Sequence, residues 1–114
     1  MTEVHLKRGE IWLVNFNPGW GSEQTGIRPA LVIQNDIGNR YASTTIVAAI
    51  TTRIKIYPVT VFLSARITGL SKDSMANLAQ ILTLDKQRLQ RKLGVLDNDT
   101  MQKVDKALGI SLDL

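Results

Sequence analysis

Apolar residues along this chain are concentrated in short runs separated by turn-forming residues. The run at residues 11–16 is rich in β-branched and aromatic side chains and is followed by Asn17, Pro18 and Gly19, a turn signal. The run at 44–51 is bounded by threonines and is almost wholly apolar between them, so we expect a central strand buried on both faces. Three further strands are predicted at residues 29–34, 58–63 and 74–84.

The period of the pattern changes after Leu84. A short helical segment is predicted at residues 85–89, with Asp85 as its cap. Asp97 is placed to begin a final helix, and Gly109 is expected to end it. The apolar residues of that helix recur at helical spacing and so share one face: Met101, Val104 and Leu108.

Short strands, glycine-containing turns and a terminal helix are typical of a small curled β-barrel with helices appended. The predicted fold class is therefore mainly β with a C-terminal α-helix. At 114 residues the chain has the size of one domain, and we expect residues 1–114 to form a single unit. A domain this small leaves much of its surface exposed, so association with a second copy would add stability.

The composition of the chain indicates the cellular compartment in which we expect the protein. The chain has no cysteine, so a disulfide framework and a thiolate metal site are both excluded. Its first residues lack the apolar run of a signal peptide, and no apolar stretch is long enough for a membrane span. We expect a cytoplasmic protein that does not enter a membrane.

The positive charge is concentrated in the middle of the chain. The net charge is +4, yet residues 40–96 carry nine basic and two acidic side chains, while both flanking parts are slightly acidic. Such a surplus attracts polyanions, either nucleic acid or an acidic protein segment. It is equally compatible with an ordinary solvated surface, so charge alone does not decide the partner.

Few residues in the sequence are candidates for acid–base catalysis, metal binding or phosphate binding. The only histidine, His5, lies in a terminal segment and is expected at the surface. No cluster of acidic residues has the spacing of a metal site, and the glycines at positions 9–26 are not followed by the lysine and helix of a phosphate-binding loop. We therefore expect no metal and no cofactor.

One loop stands out as a possible binding rim. Residues 21–29 supply several polar groups and one arginine at the edge of a predicted strand. Because Pro29 restricts the residue before it to extended conformations, Arg28 would be presented to a phosphate with little backbone freedom. The alternative is an exposed arginine in an ordinary salt bridge.

Several segments of the chain form a recognisable series when taken together. They are residues 8–12 (RGEIW), 21–24 (GSEQ), 28–36 (RPALVIQND), 38–41 (GNRY) and 44–51 (TTIVAAIT), and more loosely 85–89 (DKQRL) and 104–108 (VDKAL). In order and spacing these segments resemble the MazF/PemK-type toxins, and the resemblance covers nearly the whole chain. Any one segment is weak evidence, but their common order makes coincidence improbable.

This resemblance implies the toxin of a type II toxin-antitoxin system, an SH3-like barrel that cleaves single-stranded RNA, mRNA included, at a short sequence. It further implies a homodimer whose interface forms the RNA groove, and a cognate antitoxin whose acidic, disordered tail covers that groove. The family's catalytic arginine and threonine fall on Arg28 and Thr51.

These two residue types suit metal-independent RNA cleavage. The 2′-hydroxyl of the substrate attacks the adjacent phosphorus, and a guanidinium can meet the charge that builds on the phosphoryl oxygens. A hydroxyl at Thr51 can donate to the same oxygens or position the nucleophile. Arginine is a poor base, so Glu23 either accepts the 2′-hydroxyl proton or orients Arg28 through an ion pair.

Further residues are candidates for RNA binding. Trp20 could stack on an unpaired base, or it could anchor its loop against the barrel. The strand around residues 78–82 departs from the Glu-Gln-x-Arg pattern of many relatives, since Ala79 and Leu82 replace charged residues, which leaves the recognised RNA sequence open. Side chains suited to reading base edges are Ser22, Gln24, Ser74 and Gln80.

Two other functions remain compatible with the same barrel. One is a toxin that binds a protein such as DNA gyrase, as topoisomerase-poisoning relatives of similar fold do. The other is a barrel that binds RNA without cutting it. The polar rim from Ser22 to Arg28, together with Thr51, favours RNA as the target, because a barrel that binds a protein would have no need for this pair.

Overall fold

The computed structural model describes residues 5–17 and 25–114, and these form one six-stranded sheet in which every neighbouring pair is antiparallel. The strand order across the sheet is β4-β5-β3-β2-β1-β6. The strands are β1 (Glu10–Asn15), β2 (Ile27–Val32), β3 (Thr44–Thr51), β4 (Thr60–Leu63), β5 (Ser74–Asp85) and β6 (Leu89–Val95). The helical elements are α1 (Asp36–Tyr41), α2 (Ala65–Thr68), the 3-10 turn α3 (Lys86–Arg88) and α4 (Asn98–Leu112).

Alternation along the strands divides the buried side chains between the two faces of the sheet. One face packs against the C-terminal helix α4, whose Val104 and Ala107 are buried, and its strand residues include Leu31 and Ile50. The opposite face carries a second, smaller cluster that includes Val14, Val32 and Val47. As predicted, β3 is an interior strand, and Met101, Val104 and Leu108 of α4 pack together on the core.

The curled sheet is brought nearly full circle by a contact between its two ends. β6 forms one edge, and α2 follows directly after β4 at the other edge. A Cβ atom placed on Gly94 of β6 would lie 2.2 Å from the carbonyl oxygen of Thr68 in α2, so only glycine allows this approach. The predicted mainly β barrel with a C-terminal helix is thus confirmed, with six strands instead of five.

The edge strand β6 is fastened by a buried carboxylate. Glu10 of β1 pairs with Lys92 of β6 at 2.9 Å and accepts a hydrogen bond from the indole of Trp12 at 3.0 Å. Burial alone would raise the pKa of Glu10, but the donors Trp12, Lys92 and the Lys7 amide outweigh it and lower that pKa. The folded state therefore favours the ionised form of the Glu10 carboxylate.

Some predicted boundaries were wrong. The final helix does not end at Gly109 but continues to Leu112, because the Ser111 hydroxyl donates to the Leu78 carbonyl at 2.7 Å and secures the last turn. The β6 strand was not predicted, since its residues 90–92 are exposed and carry no apolar alternation. The chain between the second and third predicted strands forms the short helix α1, which is capped by the Asn35 side chain. None of the helices in the described parts of the chain has the length and apolar character to cross a membrane.

The tight contact at Gly94 gives a stability prediction. Gly94→Ala should lower the free energy of unfolding by about 1–3 kcal/mol, because the added methyl group collides with a backbone oxygen and not with a flexible side chain. Urea unfolding measures the loss. Gly109→Ala is the matched control: a Cβ at Gly109 meets nothing within 4 Å, so the same change there should leave stability equal or raise it by up to about 1 kcal/mol. Equal midpoints for wild type and Gly94→Ala would contradict this account of barrel closure.

Candidate active site

The two predicted catalytic residues lie on neighbouring strands at the same end of the sheet. In the pairing of β2 with β3, Val32 faces Val47, Leu31 faces Ala48 and Ala30 faces Ala49. Continuing this register by two residues puts Arg28 opposite Thr51. The β2–β3 pairing itself ends at Ala30 and Ala49, so Arg28 and Thr51 lie on adjoining strands two residues beyond its last pair.

Both side chains emerge on the face of the sheet away from α4. Ile50 and Leu31 are part of the core beneath α4, and side chains alternate along a strand, so Thr51 and Arg28 point to the opposite side. Arg28 is exposed and Thr51 is partly exposed. Neither side chain is therefore buried inside the barrel. A nuclease site requires this accessibility, because the RNA has to reach both groups.

Arg28 and Thr51 also have cross-strand partners on the strands to either side of β2 and β3. Thr51 faces Met75 of β5, and Met75 also faces Phe62 of β4, while Arg28 faces Val14 of β1. Phe62, Met75, Thr51 and Arg28 thus follow one another across four strands, and we refer to these four residues as the cross-strand row.

The hydrogen bonds that Arg28 and Thr51 make leave hydrogen-bond donors of both side chains available to a phosphate. The Arg28 Nε donates to the carbonyl of Thr25 at 2.7 Å, which fixes the side chain but occupies neither of its terminal nitrogens within the described residues. The Thr51 Oγ1 accepts from the backbone N–H of Arg53 at 3.1 Å, so its own proton remains available for donation. An anchored fork of N–H donors beside a free hydroxyl is suited to a phosphate.

The loop next to Arg28 has a well-defined stem. The Asn17 side chain accepts the Gly26 N–H at 2.8 Å, and the Phe16 N–H donates to the Gly26 carbonyl at 2.8 Å. Arg88, from the 3-10 turn, donates from Nη1 to the carbonyls of Asn15 and Asn17 at 3.2 and 2.5 Å. Sequence reasoning did not single out Arg88, whose only signal was its place in the family-like segment 85–89.

The remaining predicted RNA-binding residues have different outcomes. Trp20, Ser22, Glu23 and Gln24 lie outside the described residues, between the two halves of the stem. Ser74 is only 3% exposed and its hydroxyl donates to the Lys72 carbonyl at 3.0 Å, so the structure does not present it to a ligand. Its position at the start of β5, paired with Leu63, explains the burial.

Gln80 lies in a bulge of β5. Ala48 of β3 faces Ile81, yet the next residue, Ala49, faces Asn77, so residues 78–80 are extra on the β5 side. Gln80 is partly exposed there, beside the middle of β3 and not in the cross-strand row. Within residues 5–17 and 25–114 no group of three or more His, Asp or Glu side chains is arranged to hold a metal ion.

Comparison with known proteins shows the family to which the chain belongs. Residues 7–112 match the family described as the PemK-like, MazF-like toxin of type II toxin-antitoxin systems. The chain is 51% identical over 111 residues to the endoribonuclease EndoA of Bacillus subtilis, covering 96% of both proteins.

Solved structures give the same result. MazF from Deinococcus radiodurans superposes with a TM-score of 0.84 at 27% identity, over 98% of this chain and 100% of that one. An endoribonuclease from a mycobacterial species, solved in complex with its cognate antitoxin, gives a TM-score of 0.79 at 26% identity over 96% of both chains.

The curled barrel with its C-terminal helix and the matches to these relatives define a toxin of the RNA-cleaving class. The chain belongs to the PemK/MazF family of type II toxin-antitoxin systems, and it is an endoribonuclease toxin. Of the functions that the sequence left open, the nuclease is the one that the relatives share.

The role of Arg88 at the loop stem can be tested by hydrogen exchange. Arg88→Met should accelerate exchange at the Phe16 and Gly26 amides by about tenfold or more, because hydrogen bonds from a charged donor contribute roughly 1.5–3 kcal/mol each. Arg91→Met, at an exposed arginine of β6, is the control and should leave both amides as in wild type. Unchanged protection in Arg88→Met would show that the stem is held without Arg88.

Proposed function

We propose that the protein cleaves single-stranded RNA, mRNA included, at a short recognition sequence and without a metal ion. The 2′-oxygen of the substrate forms a bond to phosphorus as the bond to the 5′-oxygen of the next nucleotide breaks. The proton of the 2′-hydroxyl passes to a base, and the leaving oxygen takes up a proton. The products are a 2′,3′-cyclic phosphate and a 5′-hydroxyl end.

The observation that supports this mechanism is the β2–β3 register, which, continued past Ala30 and Ala49, sets Arg28 opposite Thr51. Negative charge increases on the phosphoryl oxygens as the 2′-oxygen attacks, and the terminal nitrogens of Arg28 can donate to two of them in parallel. The Thr51 hydroxyl adds one more donor from the neighbouring strand. Since both donors are anchored through hydrogen bonds of their own, little reorganisation is needed during the reaction.

The proton acceptor has to come from elsewhere. Among the described residues, Met75 faces Thr51 and Val14 faces Arg28, and neither of these two side chains can accept a proton. The sequence contains no acidic residue from 37 to 72, the region that includes Thr51. Glu23, between the two halves of the loop stem, is the carboxylate nearest to Arg28 along the chain, and we assign it to orienting Arg28 or to accepting the 2′-hydroxyl proton.

We further propose that the toxin is a homodimer in the cytoplasm and that a cognate antitoxin with an acidic tail neutralises it. Large apolar side chains at the end of α4 and beyond support self-association: Ile110, Leu112 and Leu114 are between 47% and 92% exposed. The surplus of basic residues in the middle of the chain supports an acidic partner. Relatives have been solved as toxin with cognate antitoxin and as MazE-MazF assemblies.

Cleavage in the presence of EDTA tests the mechanism. The wild-type protein should cut a long single-stranded RNA at defined positions and leave 5′-hydroxyl ends, mapped by primer extension and by resistance of the ends to ligation without prior phosphorylation. Arg28→Ala and Thr51→Ala should each lower the rate by about 10²–10³, because each removes a donor to the developing charge. Circular dichroism confirms folding, and Arg91→Ala serves as a control of equal charge change. Folded Arg28→Ala and Thr51→Ala proteins that cut at the wild-type rate would disprove the assignment.

The oligomeric state gives a separate prediction. Multi-angle light scattering should give twice the mass of the 12.7 kDa chain at micromolar concentration. Replacing Ile110 and Leu112 together by serine should shift the mass toward the monomer, because the change removes apolar surface that only a partner would cover. A monomeric wild type with full nuclease activity would overturn the proposed dimer and leave the RNA mechanism intact.

A further inference from the structure

An exposed aromatic ring lies in the cross-strand row beside the candidate site. Phe62 of β4 and Thr51 of β3 both face Met75 of β5, from opposite sides. Neighbouring strands are about 4.8 Å apart, so the backbones at Phe62 and Thr51 are about 10 Å apart across the sheet. Phe62 therefore lies on the side of Thr51 opposite to Arg28.

Phe62 does not contribute to the core. Its neighbours Val61 and Leu63 are buried on the α4 side of the sheet, so alternation turns Phe62 to the same face as Thr51 and Arg28. Its side chain is 47% exposed, whereas Met75 between it and Thr51 is 5% exposed. Within the described parts of the chain, Phe62 belongs to neither of the two hydrophobic clusters.

The chain between Thr51 and β4 is held over this part of the sheet. The Lys55 N–H contacts the Met75 sulfur at 3.3 Å, which explains why Met75 is covered. The buried Thr60 hydroxyl accepts the Tyr57 N–H at 2.9 Å and lies 3.0 Å from the Lys55 carbonyl, so it closes the segment. The surface between Thr51 and Phe62 is thus built by a segment that begins at the reaction centre itself.

The charge around this surface is predominantly positive, and the acidic residue beside it, Asp73, two residues before Met75, is engaged by the Ala65 N–H, which donates to its carboxylate at 2.9 Å. Residues 37–72 contain five basic side chains and no acidic one, and Arg53 and Lys55 of the covering segment are both exposed. Cations interleaved with exposed aromatic rings are the combination that binds single-stranded nucleic acid, since the cations meet phosphates and the rings stack on bases. If two copies of this chain met through this surface, their like positive charges would repel each other, so RNA is favoured over a second copy as the partner here.

We propose that Phe62 stacks on an unpaired base of the RNA strand whose scissile phosphate lies at Arg28 and Thr51. The inference rests on the proposed nuclease function and adds a substrate contact on the Thr51 side of the cleavage site. A planar π-face of any base satisfies such a contact, so Phe62 contributes affinity and the register of the strand, with little base selectivity. Phe62 is a binding residue here and takes no part in the chemical step.

Binding to an uncleavable substrate tests the proposal. The substrate is an oligonucleotide that carries the mapped cleavage site with a 2′-O-methyl group on the attacking sugar and 2-aminopurine at one flanking position at a time. Wild type should quench 2-aminopurine at one position near the cut. Phe62→Leu should abolish that quenching and weaken binding by about 5- to 150-fold, whereas Phe62→Tyr should keep both. Ile67→Ala, at an apolar residue of α2 that is 61% exposed, should bind as wild type.

The kinetic pattern separates stacking from other roles. With cleavable RNA, Phe62→Leu should raise KM by a similar factor and leave kcat within about twofold, because the ring binds substrate and transition state alike. Light scattering and antitoxin binding are measured on the same variants. Wild-type RNA affinity in Phe62→Leu, accompanied by a change in mass or in antitoxin binding, would overturn the proposal in favour of a protein contact. A wild-type protein that does not cut RNA at all would instead refute the nuclease mechanism.

Discussion

The proposed reaction centre depends on the register between β2 and β3. Antiparallel pairing with Ala30 opposite Ala49 brings Arg28 and Thr51 to the same end and the same face of the sheet. Because side chains alternate, a slip of one residue would send one of the two into the core on the α4 side. The slip is prevented by burial, since Leu31, Val32, Val47 and Ala48 have no exposed surface and fix the register from both faces. The most buried part of the barrel thus positions two polar groups at its rim.

The remainder of the fold supports this arrangement from the sides. The stem that joins β1 to β2 is fastened to the 3-10 turn through Arg88, next to Arg28. On the other side, Thr60 and Met75 hold the chain that leaves Thr51. Closure of the curled sheet at Gly94 keeps the two edges together. The groups proposed to contact RNA therefore come from several separate parts of the chain, each anchored by its own contacts.

Sequence patterns predicted those parts of the fold in which burial controls residue type. The apolar run at 44–51 and the face of α4 at Met101, Val104 and Leu108 were recognisable because the core demands them. The edge strand β6 could not be found in this way, since its stability comes from pairing with β1 and from the contact of Lys92 with Glu10. Similarly, Arg28 and Thr51 followed from a family resemblance, whereas Arg88 and Phe62 required knowledge of which residues are neighbours across strands. Burial of Ser74 was equally invisible in the sequence, because a hydroxyl that bonds to a nearby carbonyl is as common inside a protein as outside.

The bulge in β5 has an evolutionary consequence. Residues 78–80 are extra relative to β3, while the pairs on either side keep their regular partners. Substitutions at Ala79 or Gln80 would therefore leave the alignment of Thr51 and Phe62 on Met75 undisturbed. In the proposed nuclease, residues that read RNA bases could thus change while the reaction centre is inherited unchanged, so a single ancestral barrel could give rise to toxins that silence different sets of transcripts.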